Sequence, residues 1–321
     1  MESHMPDPER LFPLLEGVPF VYIQTHNFPD HDAVASAFGL QILLNQFSIS
    51  SRLVYDGEIS RSSLSRMIHS LGIDIRHISV YSMDEKQKII IVDGCKGNNN
   101  VTDLIGDEIA VIDHHEVSAP EDVPYSDIRP ECGACATIIY SYFRELGVAV
   151  PRDAATALML GITMDTSHFI RGADREDLDA YAALYTSADV ALVNTIARND
   201  VTYADLRYYE YAFENLEISG RFGFVYFPRG CGKNLLGIIS DFILALDEVD
   251  FVVLCAANDG VVNFSVRSEK AEWDAAVIMH QVLEGIGFGG GHSDMAGGII
   301  KDISLFDRER IHTAFKERLT A

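Results

Sequence analysis

Short, unbroken apolar runs mark the first half of the chain, and segments of helical spacing lie between and after them. Phe20–Thr25 (FVYIQT), Arg52–Tyr55, Lys88–Val92 (KIIIV) and Glu108–Ile112 (EIAVI) predict strands. The last two are followed at once by Asp93 and Asp113. Asp32–Gln46 predicts a helix with Ala33, Ala37, Leu40 and Leu44 on one face. Further helices are expected at Ser62–Leu71, Gly133–Leu146 and Arg152–Thr163. Apolar strands joined by helices predict an α/β fold with a mostly parallel sheet covered on both faces. Ligands of such sheets lie beyond the carboxyl ends of the strands, which is where acidic residues and histidines gather here.

The pattern then changes twice. From about Glu176 to Leu216 it is nearly all helical, rich in Ala, Leu and Tyr. After Glu217, strands at Gly223–Phe227, Phe251–Ala257 and Val261–Val266 alternate with helices at Gly232–Leu246 and Ala271–Leu283. The expected organisation is a first domain over 1–190, a helical connector over 191–218 and a second, smaller α/β domain over 219–321. No repeat, low-complexity tract or long charge run is visible.

Composition narrows the function classes. Of the 321 residues 48% are apolar and 10% aromatic, enough for a large core, which excludes a disordered chain. The net charge of −23 argues against coating long duplex nucleic acid with a basic face, but leaves room for one local phosphate site. No apolar stretch approaches the roughly 18 residues of a membrane-spanning helix. Met1–Met5 lacks the character of a secretory signal. Ser3-His4-Met5 is compatible with a cloning remnant and is left out of the fold reasoning. The five scattered cysteines fit reduced thiols in a cytoplasmic protein. Cys132 and Cys135 form a CxxC without the second pair that a structural zinc site requires.

Four clusters carry candidate chemistry. His26-Asn-Phe-Pro-Asp30-His-Asp32 follows a strand and precedes a helix. Its carboxylates and imidazole suit divalent cations, although Asp30 or Asp32 would equally cap the helix. Asp93 at a strand end is a ligand or a turn residue. Asp113-His114-His115 aims one histidine at metal and one at substrate, or lies in a surface turn. Asp165, in Gly161-Ile-Thr-Met-Asp165-Thr166, is a final ligand or an ordinary helix-end residue. A fifth feature, Phe288-Gly-Gly-Gly-His292, is a flexible turn or an anion-binding loop. Arg267 and Ser268 end a strand upstream of it, and the arginine suits bidentate phosphate contact.

In this order, HNFPDHDAVAS, IIIVDG, VIDHHE, GITMDTSHF, NFSVRS and GGGHSDMAGG resemble the motifs of the DHH phosphoesterases, in the branch with a C-terminal DHHA1 domain, across roughly residues 20–305. That branch holds nano-RNases, 3′-phosphoadenosine 5′-phosphate phosphatases and cyclic-dinucleotide phosphodiesterases. The resemblance implies two divalent ions of the manganese type that activate a water. His26, Asp30 and Asp93 would hold one ion, and Asp32, Asp93, His114 and Asp165 the other, with Asp93 shared. His115 would contact the scissile phosphate, and Asp113 would orient a ligating histidine. Arg267, Ser268, Gly290, Gly291 and His292 would bind substrate. The implied substrates are oligoribonucleotides, linear dinucleotides or 3′-phosphoadenosine 5′-phosphate, with cyclic dinucleotides, pyrophosphate or polyphosphate as alternatives and a non-catalytic nucleotide sensor as a further one. A homodimer is compatible with this, and no membrane partner is expected. The departures are Phe288 where the family's glycine run often begins, Met295 where an alanine is usual, Cys135 where a hydroxyl residue is frequent, and no glycine after Thr166. They lie on the substrate side.

Overall fold

A computed structural model describes residues 7–320, so the N-terminal Met1–Met5 segment lies outside the described residues. Two compact units divide the chain, Met1–Asp200 and Val201–Ala321.

The first unit runs β1 (Val21–Gln24), α1 (His31–Gln46), β2 (Ser51–Tyr55), α2 (Ser62–Leu71), β3 (Ile75–His77), β4 (Lys88–Val92), β5 (Asp107–Asp113), β6 (Tyr125–Ile128), α3 (Cys135–Glu145), α4 (Arg152–Asp165), α5 (Arg175–Leu184) and α6 (Val190–Arg198). Its six described strands are all parallel, in the order β3-β2-β1-β4-β5-β6. The apolar runs are unbroken because successive side chains feed two cores. Ile90, Val92, Ala110 and Ile112 join the helices on one face. Ile89, Ile91 and Val111 pack on the other against Cys95, Val101 and Val123, so loop residues cover that face and not helices. The helix expected to show one apolar face is α1, and its residues 31–40 are buried all round. The strand order reverses between β1 and β4, and at such a switch the loops beyond the strand ends leave a crevice for ligands. His26 and Asp93 follow those two strands.

The second unit holds α7 (Leu206–Asn215), β7 (Glu217–Ser219), β8 (Phe222–Phe227), α8 (Lys233–Leu244), β9 (Phe251–Asn258), β10 (Val261–Ser268), α9 (Ala275–Leu283), β11 (Phe288–Gly291), β12 (Met295–Ile300) and α10 (Arg308–Thr320). Its described sheet has the order β11-β12-β10-β9-β8-β7. Only the β8–β9 pairing is parallel. One face packs on α9 and α10, the other on α7 and α8.

Helices α6 and α7, in the region expected to be a connector over 191–218, join different cores. Val193 and Ile196 of α6 are buried in the first core, and Ala212 of α7 is buried in the second. The division therefore falls between Asp200 and Val201, at the point where burial changes core. The glycine run is not a free loop either: Gly289, Gly290 and Gly291 pair with Gly298, Gly297 and Ala296 as edge strand β11. Strands β3, β6, β7, β11 and β12 and helix α10 lie outside the expected set. No described helix is long and apolar enough to cross a membrane.

Candidate metal centre

Four chain segments converge at the carboxyl ends of β1, β4 and β5 and the end of α4. After β1, His26 turns its Nε2 towards Asp93 Oδ2 at 3.5 Å and Asp30 Oδ2 at 3.9 Å. Its Nδ1 donates to the carbonyl of its neighbour Asn27 at 2.9 Å, which fixes the tautomer and leaves the Nε2 lone pair for a cation. Asp30 divides its two oxygens. Oδ1 caps α1 by accepting from the amides of Asp32 (3.0 Å) and Ala33 (3.1 Å), while Oδ2 faces His26. One oxygen of this carboxylate caps the helix and the other is left facing the histidine.

Asp93 lies at the centre, 2% exposed, in a left-handed backbone conformation (φ +55°). Such a conformation costs on the order of 1–3 kcal/mol and persists where its surroundings enforce it. Here the Asp93 amide donates to Ile112 O at 2.9 Å. Its Oδ2 serves His26, and its Oδ1 lies 3.3 Å from His114 Nε2. That nitrogen is also 3.3 Å from Asp165 Oδ2, at the last residue of α4. The carbonyl of Cys132 accepts from His114 Nδ1 at 3.1 Å. Asp32 is anchored at the start of α3, where Cys135 N donates to Oδ2 at 2.6 Å and Ala136 N to Oδ1 at 2.9 Å.

The ligand atoms fall into overlapping groups within 4.8 Å: His26–Asp30–Asp93, Asp32–His114–Asp165 and Asp93–His114–His115. In the third, His115 reaches Asp93 through Nδ1 at 3.9 Å, but that nitrogen is 2.7 Å from Asp113 Oδ1. It donates there and has no lone pair to offer. Asp113 was expected to orient a ligating histidine. Its side chain meets the His115 ring, and it also accepts from the amides of His114 (2.9 Å) and His115 (3.2 Å).

The electrostatics describe a site that favours cations. Burial pushes Asp32 well up, and the neighbouring Asp93 and Asp165 push it further. Burial, offset by His114 and reinforced by Asp30 and Asp93, raises Asp165 to about 7. Burial works against charge on His26, but its hydrogen bond to Asp93 and the fields of Asp30 and Asp93 prevail and hold it at about 10. His114 is raised well up by Asp93 and Asp165 despite burial. Burial also opposes the ionised form of Asp93, yet His114 and His26 hold it below the usual carboxylate range. Protons thus stand in for missing positive charge. Asp93 Oδ1 is buried, and the His114 Nε2 that lies 3.3 Å from it is not aligned as a hydrogen-bond donor. Carboxylate oxygens mixed with imidazole nitrogens are the donor set of manganese-like divalent ions, so these residues fit the group.

The N-terminal domain of the DHH family matches residues 20–162, and the DHHA1 domain matches residues 220–320. The chain belongs to the DHH/DHHA1 family. It is 28% identical over 327 residues to the uncharacterized protein MJ1633 of Methanocaldococcus jannaschii (100% of this chain, 65% of that one). It is 22% identical over 321 residues to the cyclic-di-AMP phosphodiesterase PdeA of Listeria monocytogenes (90% and 46%). It is 28% identical over 172 residues to a probable manganese-dependent inorganic pyrophosphatase of Enterococcus faecalis (53% and 54%). The chain thus spans about half to two thirds of the length of these relatives. The fold resembles that of an exopolyphosphatase-related protein from Bacteroides fragilis, with TM-score 0.79, 18% identity and coverage of 97% and 95%.

In the DHHA1 domain the expected substrate residues are held differently. Arg267 is buried in β10, with Nε on Asp241 Oδ1 of α8 at 2.7 Å and Nη1 on Ser265 Oγ at 3.1 Å. The guanidinium is thus oriented from within the protein. Ser268 Oγ closes a local turn with the backbone of Lys270, both contacts at 3.2 Å. His292 is exposed, its amide donating to Met295 O at 2.7 Å. A Cβ at Gly289 or Gly291 would lie 2.3 Å from Met279 or Met295, whereas one at Gly290 would meet open space. Packing explains the outer two glycines and leaves Gly290 as the one with room above it. Sequence reasoning missed Asp241, the carbonyl of Cys132 and the amides of Cys135 and Ala136. No residue type signals a backbone group, and Asp241 sits mid-helix among apolar neighbours.

Proposed function

We propose that this chain is a metal-dependent phosphoesterase that hydrolyses short nucleotides: oligoribonucleotides, linear dinucleotides or 3′-phosphoadenosine 5′-phosphate. One observation carries the reading. The two oxygens of Asp93 face two different histidine–carboxylate groups, His26–Asp30 on one side and His114–Asp165 on the other. In this reading His26, Asp30 and Asp93 hold one divalent ion, and Asp32, Asp93, His114 and Asp165 hold another. Two such ions, when bound, polarise a phosphoryl oxygen and acidify water. His115, its charge opposed by burial but favoured by its bond to Asp113, donates a hydrogen bond to a phosphoryl oxygen. Arg267, Ser268, Gly290, Gly291 and His292 form the substrate contacts of the DHHA1 domain, Gly290 by backbone approach. A cytoplasmic setting agrees with five free, buried cysteines.

The likeness to PdeA spans 90% of the chain, both domains included, whereas the pyrophosphatase likeness covers 53%. This favours a nucleotide over pyrophosphate and supports a cyclic-dinucleotide phosphodiesterase as the second reading. The test is hydrolysis by purified protein with Mn²⁺ of pApA, longer oligoribonucleotides, 3′-phosphoadenosine 5′-phosphate, cyclic dinucleotides and pyrophosphate. Turnover of the first three classes is expected. Cyclic dinucleotides cleaved alone would establish the second reading, and exclusive cleavage of pyrophosphate would overturn both.

A further inference from the structure

Asp177, in the first turn of α5, belongs to none of the motifs, yet its carboxylate is fully buried. It closes a capping box with Asp174, whose amide donates to Oδ2 at 2.8 Å. Capping alone does not account for its other partners. Gly133 N donates to the same Oδ2 at 2.8 Å, and the hydroxyl of Thr137 donates to Oδ1. Both lie about 40 residues upstream, on either side of the start of α3. Residue 133 has no room for a side chain: a Cβ would sit 2.8 Å from Asp177 Oδ2, from Gly172 O and from Thr166 Cγ2.

The turn clamped in this way is the one that orients ligands. The Cys132 carbonyl fixes His114, and the amides of Cys135 and Ala136 hold both oxygens of Asp32. Thr166, which touches the clamp, follows Asp165. The His26–Asp30 side is instead held by the Asn27 carbonyl and the α1 cap. Asn27 is itself fixed by Thr102 N and Oγ1 at 3.2 and 3.0 Å.

We infer that Asp177 is the positioning residue of the Asp32–His114–Asp165 group and not of the His26–Asp30 group, so that one buried carboxylate sets the affinity for the second ion alone. This rests on the two-ion reading above. Outer partners of ligands change metal affinity by about 10–100-fold.

Mn²⁺ titration of the metal-free protein by calorimetry and electron paramagnetic resonance tests it. Wild type is expected to show two binding events, and Asp165→Ala identifies the one belonging to the second group. Asp177→Asn removes the charge and leaves one acceptor oxygen, which can serve either the two backbone N–H groups or the Thr137 hydroxyl but not both. It is expected to weaken that same event about 10–100-fold and leave the other within about twofold. Thr137→Val removes only the hydroxyl, is expected to weaken the same event by less, and carries the test if Asp177→Asn does not fold by circular dichroism. Equal weakening of both events, or no change in either, would overturn the inference while leaving the two-ion reading intact. A wild type that binds no Mn²⁺ would overturn both.

Discussion

The two units place their functional candidates in contrasting ways. In the DHH domain the candidate ligands sit at strand ends and at the termini of α1 and α4, and Asp32, Asp93 and Asp113 are nearly inaccessible. In the DHHA1 domain Gly290, Gly291 and His292 line an exposed edge, and only Arg267 and Ser268 are buried. Buried groups around a shared centre tolerate little change, because removing one carboxylate leaves the histidines it faces without their counter-charge. An exposed edge strand can vary without disturbing a core. The metal side is therefore expected to be rigid and all-or-none, and the substrate side graded.

The largest effect tests the rigid half. Asp93→Ala unlinks both groups and is expected to lower kcat/KM by more than about 1000-fold, since metal-assisted stabilisation is lost outright. Near-normal turnover in Mn²⁺ would break the comparison at its root. The next effect is one of pH. Ligation needs ionised Asp165 and neutral His26, yet in the metal-free site these hold protons below about 7 and about 10. Binding must release protons, so apparent Mn²⁺ affinity should fall as pH is lowered. Between pH 8 and 6 the loss should be about tenfold per unit for each proton released. Calorimetry in buffers of different ionisation heat would show this, and a flat profile would contradict it. His115→Ala should lower kcat by about 100-fold, the scale of one lost donor to developing charge, with Mn²⁺ stoichiometry unchanged. Loss of an ion in that variant would make His115 a ligand after all.

The graded half gives smaller numbers. Arg267→Ala is expected to raise KM about tenfold, in line with the loss of one charge-assisted contact. A change confined to kcat would move it out of the binding role. Gly290→Ala has room for its methyl group, so stability should hold and KM should rise only a few-fold (about 1 kcal/mol or less). A KM identical to wild type would show that no substrate backbone approaches there.

Legibility in the sequence follows the same contrast. Asp93 and Asp113 stood out because each ends an apolar run, and buried parallel strands leave that signature. Strand β6 was hidden because Tyr125–Ile128 carries Asp127. That carboxylate is tolerated in the core only through Arg129, bonded at 2.8 and 2.7 Å, and Tyr142 at 2.8 Å. Strand β3 is three residues long, and two of them, Arg76 and His77, are polar. Strands β11 and β12 were hidden by glycines, which pack poorly in strands and read as turns. Which core α6 and α7 each join is not legible, because helical periodicity does not say which core a helix faces. The chemistry of Asp113 was read, but not that it serves His115, since which neighbour a carboxylate bonds depends on backbone geometry at the end of β5.

The central claim is that Asp93 is shared between two groups. Counting Mn²⁺ bound per chain in wild type, His26→Ala, Asp165→Ala and Asp93→Asn tests it most directly. The account predicts two tightly bound ions in wild type, one in each of the outer-ligand variants and none in Asp93→Asn. Retention of one tightly bound ion by Asp93→Asn would contradict it.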